Sequence, residues 1–325
     1  MLGCVPFEDH MFKGGTADTD IPVTDLVFDA NGNLFGATGE DLSGHLGAVY
    51  ELTPVGGTWT EKIIYRFTSN GYNPGTHLAF DGQGNFYGSL AQVFAVTGGV
   101  FQLSPQSDGT WKESIIYSFK SNGDGQYPRG GVVTDSKGNL YGVTEDGGAF
   151  NRGTVYELSP NGSGGWVETI LYSFMEQNDG AYPLAPLTID AKGNLYGTTS
   201  SGGANNDAVV FELSQSAGKW NETVLYTFDK SGYAPNNVVF DAKGNLYGTT
   251  VSGGNGCNNP GCGIVFMLTR QTVPPWKETV LHNFESDFDG SEPLAGVLVD
   301  NGHVYGTTEY GGGRFGYGTV FEIQP

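Results

Sequence analysis

Asp25, His77 and Arg129 stand at one even interval along the chain, and Asn236 and Asn237 follow further on. A histidine beside a carboxylate is a general base that works near neutral pH. An arginine next to it can hold a carboxylate or stabilise a developing anion. Asparagine amides donate to and accept from hydroxyl groups. Gathered at one place, these five residues could bind a sugar or act on one; scattered, they are solvated polar side chains. Tyr72, Tyr127, Tyr182 and Tyr233 recur in glycine-containing loops. Ringing a cleft, they would offer aromatic faces to the C–H faces of sugars. Glu145 and Glu309 are two further carboxylates in matching positions. A pair of carboxylates is the apparatus of glycoside hydrolysis.

The elements that must position these residues are written as a repeat. The pattern D-x-x-G-N-L-Y-G begins at Asp29, Asp81, Asp135, Asp190 and Asp241, and in weaker form at Asp300. A period of roughly 50 residues with glycine and aromatic signatures is that of propeller blades. Each unit reads as four short strands. An apolar run precedes the Asp, and a second strand follows the turn. The third is of the Val-Phe-Glu-Leu type, as at Val210–Leu213, and the fourth is W-x-E-x-x-L-Y-x-F. Asp with Gly-Asn between two apolar runs is hairpin chemistry, so the repeated Asp reads as turn punctuation and not as a ring of metal ligands. The fourth strand alternates with period two. It begins at Trp59, Trp111, Trp166, Trp220 and Trp276, five copies against six of the others. Its Trp and Glu are expected to pack and protect the outer edge.

The expected fold is therefore all-β, a six-bladed β-propeller in one domain of residues 1–325. The blades fall at 22–67, 74–119, 128–174, 183–228, 235–284 and 293–323, and the N-terminal strand 4–12 completes the last blade. In such a ring the first strands line the channel, and function lies where the copies disagree. Four and five residues before the repeated Asp, copies 3, 4 and 6 carry Gly130 and Gly131, Ala185 and Pro186, and Ala295 and Gly296. Copies 1, 2 and 5 carry Thr24 and Asp25, Thr76 and His77, and Asn236 and Asn237. Asp25, His77, Arg129, Asn236 and Asn237 are thus expected at the channel mouth. His77, Arg129, Asp25 and Glu145 are the candidates for catalysis. Asn236, Asn237, Tyr72, Tyr127, Tyr182, Tyr233 and Glu309 are the candidates for ligand binding. Copies 3 and 6 face each other across a six-membered ring, which sets Glu145 and Glu309 too far apart for a retaining pair.

The consensus S-F-x-x-x-D-G-x-Y-P-x-x-x-L-x-x-D-x-K-G-N-L-Y-G-T-T-x-x-G-G, closely matched over residues 173–213, resembles the Gloeobacter/Verrucomicrobia-type repeat. The resemblance spans about residues 22–323. It implies a propeller in a secreted or surface bacterial protein, and no catalytic residues.

Thirty-five acidic and 15 basic residues give a formal net charge of −20. Such a field repels nucleic acid and anionic membrane surfaces. No run has the ~18 apolar residues of a membrane span. The start M-L-G-C-V-P-F-E-D-H lacks a basic region followed by an apolar one, so the expectation is a cytoplasmic protein or one whose signal has been removed. Cys257 and Cys262 are spaced for a disulfide in an oxidising compartment; Cys4 is left over, and no zinc set forms. No cofactor signature is present, and calcium could enter at acidic loops such as Asp287, Asp289 and Glu292. The expected molecule is a monomer, extracellular or at the cell surface. Three functions compete: a binding or scaffold propeller for a glycan or protein, a carbohydrate-active hydrolase or lyase, and a calcium-dependent structural module.

Overall fold

In the computed structural model, the described residues are 24–29, 31–39, 46–56, 58–67, 72–92, 97–120, 123–229, 232–257, 261–285, 289–312 and 318–325. The described residues form two compact units, one within residues 7–173 and one within residues 174–325. The boundary falls between the third and fourth copies of the repeat. Among the described residues six antiparallel blade sheets follow one another in sequence, three in each unit, beside one separate two-stranded ladder, and this is the blade series of a six-bladed β-propeller. The first blade pairs Val27–Phe28, Leu34–Thr38, Ala48–Val55 and Thr58–Arg66 in sequence order. Blades 2 to 5 repeat that order. Among the described residues the sixth has three strands, Leu298–Asp300, His303–Thr307 and Val320–Ile323. Residues 4–12, expected to supply its fourth, lie outside the described residues, as do Cys4 and Asp287.

In blades 1 to 5 the opening hairpin is built by its aspartate. In blade 2, Asp81 Oδ1 accepts the backbone N–H groups of Gln83 and Asn85 at 2.8 and 2.9 Å. Its Oδ2 accepts the Asn85 amide at 2.8 Å and the Tyr87 hydroxyl at 3.1 Å. Desolvation pushes the Asp81 pKa up, yet the bonds from Asn85, Gln83 and Tyr87 outweigh it and hold the carboxyl below its ordinary value. Gly84 takes the left-handed conformation (φ +91°) that the turn demands. Asp29, Asp135, Asp190 and Asp241 bond the same way.

The core lies between successive blades of each unit. The phenylalanine ending one fourth strand meets edge-on the aromatic ring of the next blade's third strand. Phe67 meets Phe101 at 5.2 Å and Phe119 meets Tyr156 at 5.0 Å between ring centroids. Phe228 meets Phe266 at 5.1 Å. Edge-to-face pairs at this spacing add about 0.5–1.5 kcal/mol beyond their area. The glycine after the aromatic of each second strand follows from the same packing. A Cβ on Gly88 would stand 2.7 Å from the Phe101 ring, so only glycine lets the ring lie on the strand. Each third strand also shifts register against the fourth at one step, between Val100 and Phe101 in blade 2 and at the equivalent step in the other four pairs. A bulge repeated at one column re-aims the aromatic toward the neighbouring blade.

Cys257 and Cys262 are paired in a disulfide, with their Cα atoms 5.5 Å apart. The Cys262 carbonyl accepts the backbone N–H of Glu292 at 3.0 Å, so the bridged loop of blade 5 is tied to the loop that leads into blade 6.

Candidate functional site

In the unit of residues 7–173 the approaches to the first strands of blades 1, 2 and 3 are laced together through their backbones. Asp25 N–H donates to Thr76 O at 3.1 Å, and Thr76 N–H donates to Arg129 O at 2.9 Å. Buried Ser89 accepts the Gly131 N–H at 3.1 Å. Gly131 lies so near the His77 backbone that a side chain there would collide with it. The column that reads Asp25, His77, Gly131 in sequence is therefore a row of neighbours in space.

On that row Asp25 and His77 join. The imidazole Nδ1 lies 2.8 Å from both Oδ1 and Oδ2 of the carboxylate. The His77 side chain is 21% exposed and that of Asp25 42%. Thr24 is turned the other way, its hydroxyl accepting the Ala37 N–H at 2.7 Å. An aspartate on Nδ1 fixes the tautomer in which Nε2 carries the lone pair. Among the described residues nothing is hydrogen-bonded to Nε2.

A second pair stands on the next blade, at the residue whose carbonyl binds Thr76. Arg129 Nε donates to Glu145 Oε2, with the Arg129 side chain 52% exposed. The two residues come from two loops of one blade, 16 residues apart in sequence, that meet in space. Gly125–Gln126 pairs with Asp146–Gly147, and Glu145 N–H donates to Tyr127 O at 3.1 Å. Asp146 sits against the pair. Its carboxyl is raised by burial and by Glu145, with Arg152 and Arg129 opposing.

The four tyrosines fall into two kinds. Tyr127 and Tyr182 immediately precede a proline and are left-handed, φ 56° in both. Ala234 and Glu292 hold that position in blades 5 and 6, at φ 50° and 53°. The strained backbone is held by the opposite loop: Ser200 donates to Tyr182 O, and Glu309 N–H donates to Glu292 O. Tyr72 and Tyr233 come one residue earlier relative to the proline. They are ladder residues opposite Gln92 and Ser252. The signal was in the sequence, Tyr-Pro against Tyr-x-Pro, and it also marks Glu292 as the sixth blade's member of the tyrosine column.

The remaining candidates belong to the unit of residues 174–325. Asn236 donates its amide to Thr249 Oγ1 at 2.8 Å and to Pro293 O at 2.7 Å, a link from blade 5 to blade 6. Asn237 lies across Gly296, where a side chain would displace it. Glu309 is exposed, and its hydrogen bond with the Tyr310 phenol raises the phenol's pKa. In the acidic loop Asp289 accepts the Glu285 N–H at 3.0 Å and meets His282 Nε2 at 2.9 Å. Among the described residues no three His, Cys, Asp or Glu side chains are placed to hold a metal ion, and no helix is long and apolar enough to cross a membrane.

The Gloeobacter/Verrucomicrobia repeat matches the chain over residues 8–191 and again over residues 163–325. The chain belongs to that family. No curated protein matches this Gloeobacter/Verrucomicrobia repeat protein. Solved structures do. The PQQ-bound aldose sugar dehydrogenase of Streptomyces coelicolor aligns at a TM-score of 0.61 with 10% identity, covering 95% of each chain. A gluconolactonase from Xanthomonas campestris aligns at 0.56 with 12% identity, covering 94% of this chain and 86% of that one. A putative glucose dehydrogenase from Thermus thermophilus aligns at 0.60 with 15% identity, covering 94% and 97%. At such identities the likeness is one of fold.

The fourth strands of the repeat carry the glutamates expected, with the tryptophans, to pack and protect the outer edge. These glutamates are turned inward. Tyr65 donates to Glu113 Oε2 at 2.8 Å and Tyr226 to Glu278 Oε2 at 2.9 Å, each from one blade to the next. The other oxygen, Oε1, of Glu113, Glu168, Glu222 and Glu278 is buried without a hydrogen-bond partner among the described residues. Burial, with Asp124 adding, lifts Glu168 to about 7; burial, with Asp179 adding, lifts Glu222 to about 8. Burial also raises Glu113 and Glu278. The clue was in W-x-E itself. Residues two apart on a strand share a face, and the tryptophan's face packs inward: Trp166 of blade 3 lies 5.9 Å from Tyr87 of blade 2.

Proposed function

We propose that this protein is an extracytoplasmic carbohydrate-binding propeller, acting as a single chain, whose ligand rests on the first-strand rim of residues 7–173. The observation that carries the reading is the Asp25–His77 pair. At this column blades 3, 4 and 6 have glycine, proline and glycine, whereas blades 1 and 2 place a carboxylate and an imidazole in mutual contact at 2.8 Å. Arg129 and Glu145 add a second donor–acceptor pair on the next blade. Pairs of this kind match vicinal hydroxyl groups, which donate to a carboxylate and accept from a cation. The net charge of −20 favours a neutral ligand over a polyanion. The Cys257–Cys262 disulfide supports an oxidising compartment. The sugar-directed names of two structural neighbours agree by analogy of fold alone.

Thermal unfolding in the presence of neutral mono- and oligosaccharides tests this. A ligand that binds only the folded state stabilises it by about 2.7 kcal/mol at one hundred times its Kd. The expected result is a sugar that raises Tm of the native protein and leaves Tm of His77→Ala unmoved. A panel with no such sugar, combined with capture of a purified surface protein, would assign the rim to a protein partner instead.

A further inference from the structure

We propose that the Asp25–His77 pair is a general base that hydrolyses a neutral carboxylic ester or lactone of a sugar held at the first-strand rim. The inference rests on the rim being the sugar site and deepens it from binding to turnover. The Asp25 carboxylate embraces Nδ1 with both oxygens at 2.8 Å, so the proton of neutral His77 belongs on Nδ1 and the lone pair on Nε2. The imidazole is mostly sheltered, 21% exposed, yet Nε2 has no partner among the described residues. The next position in the column is Gly131, which brings no acid or base to compete for that nitrogen. Arg129 hangs from the backbone carbonyl that binds Thr76, the residue before His77. Its guanidinium is half exposed and oriented by Glu145. In this scheme that cation stabilises the negative charge that develops beside the base.

The chemistry narrows the substrate. Cleavage of a glycosidic bond calls for two carboxyl groups flanking the bond, one of them an acid. Here Asp25 is committed to His77, and Glu145 to Arg129. A single imidazole base with a neighbouring cation suits attack of water on a carbonyl. Nε2 takes a proton from water as the water oxygen bonds to the acyl carbon. The carbonyl electron pair moves to its oxygen, toward Arg129. The tetrahedral adduct then collapses and the acyl C–O bond breaks. The departing alkoxide oxygen receives the proton held on Nε2. One water and one ester give one acid and one alcohol, with no oxidant and no covalent intermediate on the protein. In this scheme His77 is the catalytic residue and Asp25 a positioning residue.

The test uses the full chain with glucono-δ-lactone, followed by proton release, and 4-nitrophenyl acetate, followed by absorbance. Binding of D-glucitol, a polyol that cannot be hydrolysed, is measured in parallel by calorimetry. The native protein is expected to accelerate hydrolysis above buffer, and His77→Gln to lose ~100-fold or more of the rate, the usual contribution of a general base. Asp25→Asn is expected to lower kcat ~10-fold or more with KM unchanged, and Asp25→Glu to recover part of it. A purely structural Asp25 would instead shift Tm and spare that kcat-against-KM pattern. Undiminished hydrolysis by a folded His77→Gln overturns the proposal. Glucitol binding with no hydrolysis of either ester overturns it while leaving the sugar site standing. Absence of both overturns the site as well.

Discussion

The innermost and outermost strands of the blades treat charge in opposite ways. At the first-strand rim the copies differ, the charged groups are paired with one another, and they reach solvent: Asp25 with His77, Arg129 with Glu145. Along the fourth strands the copies agree, and one carboxyl oxygen each of Glu113, Glu168, Glu222 and Glu278 is withdrawn from water. A repeated residue must serve a need that every blade has, which is to join the next blade. A residue present once is released from that duty. The contrast separates stability from function: changes to the repeated interior should act on folding, and changes to the rim should act on ligands.

The largest effect is expected in the repeated aromatic seam. Phe266 is fully buried, meets Phe228 edge-on at 5.1 Å and lies on Gly248. Phe266→Ala removes that ring contact and leaves a cavity, at a cost of about 3–5 kcal/mol. Urea titration should show the midpoint falling by the corresponding amount. A loss under about 1 kcal/mol would mean that the blades do not depend on this seam.

The outer carboxyls should appear next, as a pH dependence. Glu168 and Glu222 have folded pKa values raised to about 7 and about 8 against an ordinary 4.5. A raised acid binds more protons folded than unfolded. Its contribution is therefore complete below pH 4.5 and is lost as pH rises through about 7 to 8. The hairpin aspartates run the other way. Asp81, Asp135, Asp190 and Asp241 are held below 3.8, so their contribution is present above 3.8 and is lost as pH falls through their lowered values. Tm should accordingly be highest in mildly acidic solution, near pH 4.5, decline from there through neutrality and level off by about pH 8. Glu222→Gln, which keeps the shape and removes the titration, should flatten that decline. An unchanged slope in Glu222→Gln would mean that the buried carboxyl stays ionised.

The fold was legible because each blade carries its own punctuation. The Asp of D-x-x-G-N binds its own turn, so the local signal is self-contained. The alternation of the fourth strand gave its period without its direction, because a period-two pattern does not say which face is inward. That is why Glu113 and its equivalents, read as packing and protection at the outer edge, were not foreseen as acids with a buried oxygen. The Asp25–His77 contact was legible for a related reason: the two residues occupy one column of the repeat in adjacent blades. Arg129 with Glu145 was not, since these come from two loops that only the ladder of Gly125–Gln126 with Asp146–Gly147 brings together. The bond from Asn236 to Pro293 was equally hidden, because it joins a side chain to a backbone carbonyl in the next blade.

The smallest effect is the one that makes the contrast sharpest. The Arg129–Glu145 pair is exposed on the arginine side, and solvent-exposed ion pairs contribute about 0–1 kcal/mol. Arg129→Ala should therefore leave the unfolding midpoint within about 0.5 kcal/mol of native, as surface substitutions commonly do. The same variant removes the half-exposed cation that Glu145 holds at the rim, so its saturation curve for a rim ligand should shift while its melting curve does not. Native melting with weakened binding would place the site among the residues that the blades do not share. If Arg129→Ala instead melts several degrees lower, the rim is part of the scaffold, and the division between repeated interior and unrepeated rim fails at the point where it was drawn.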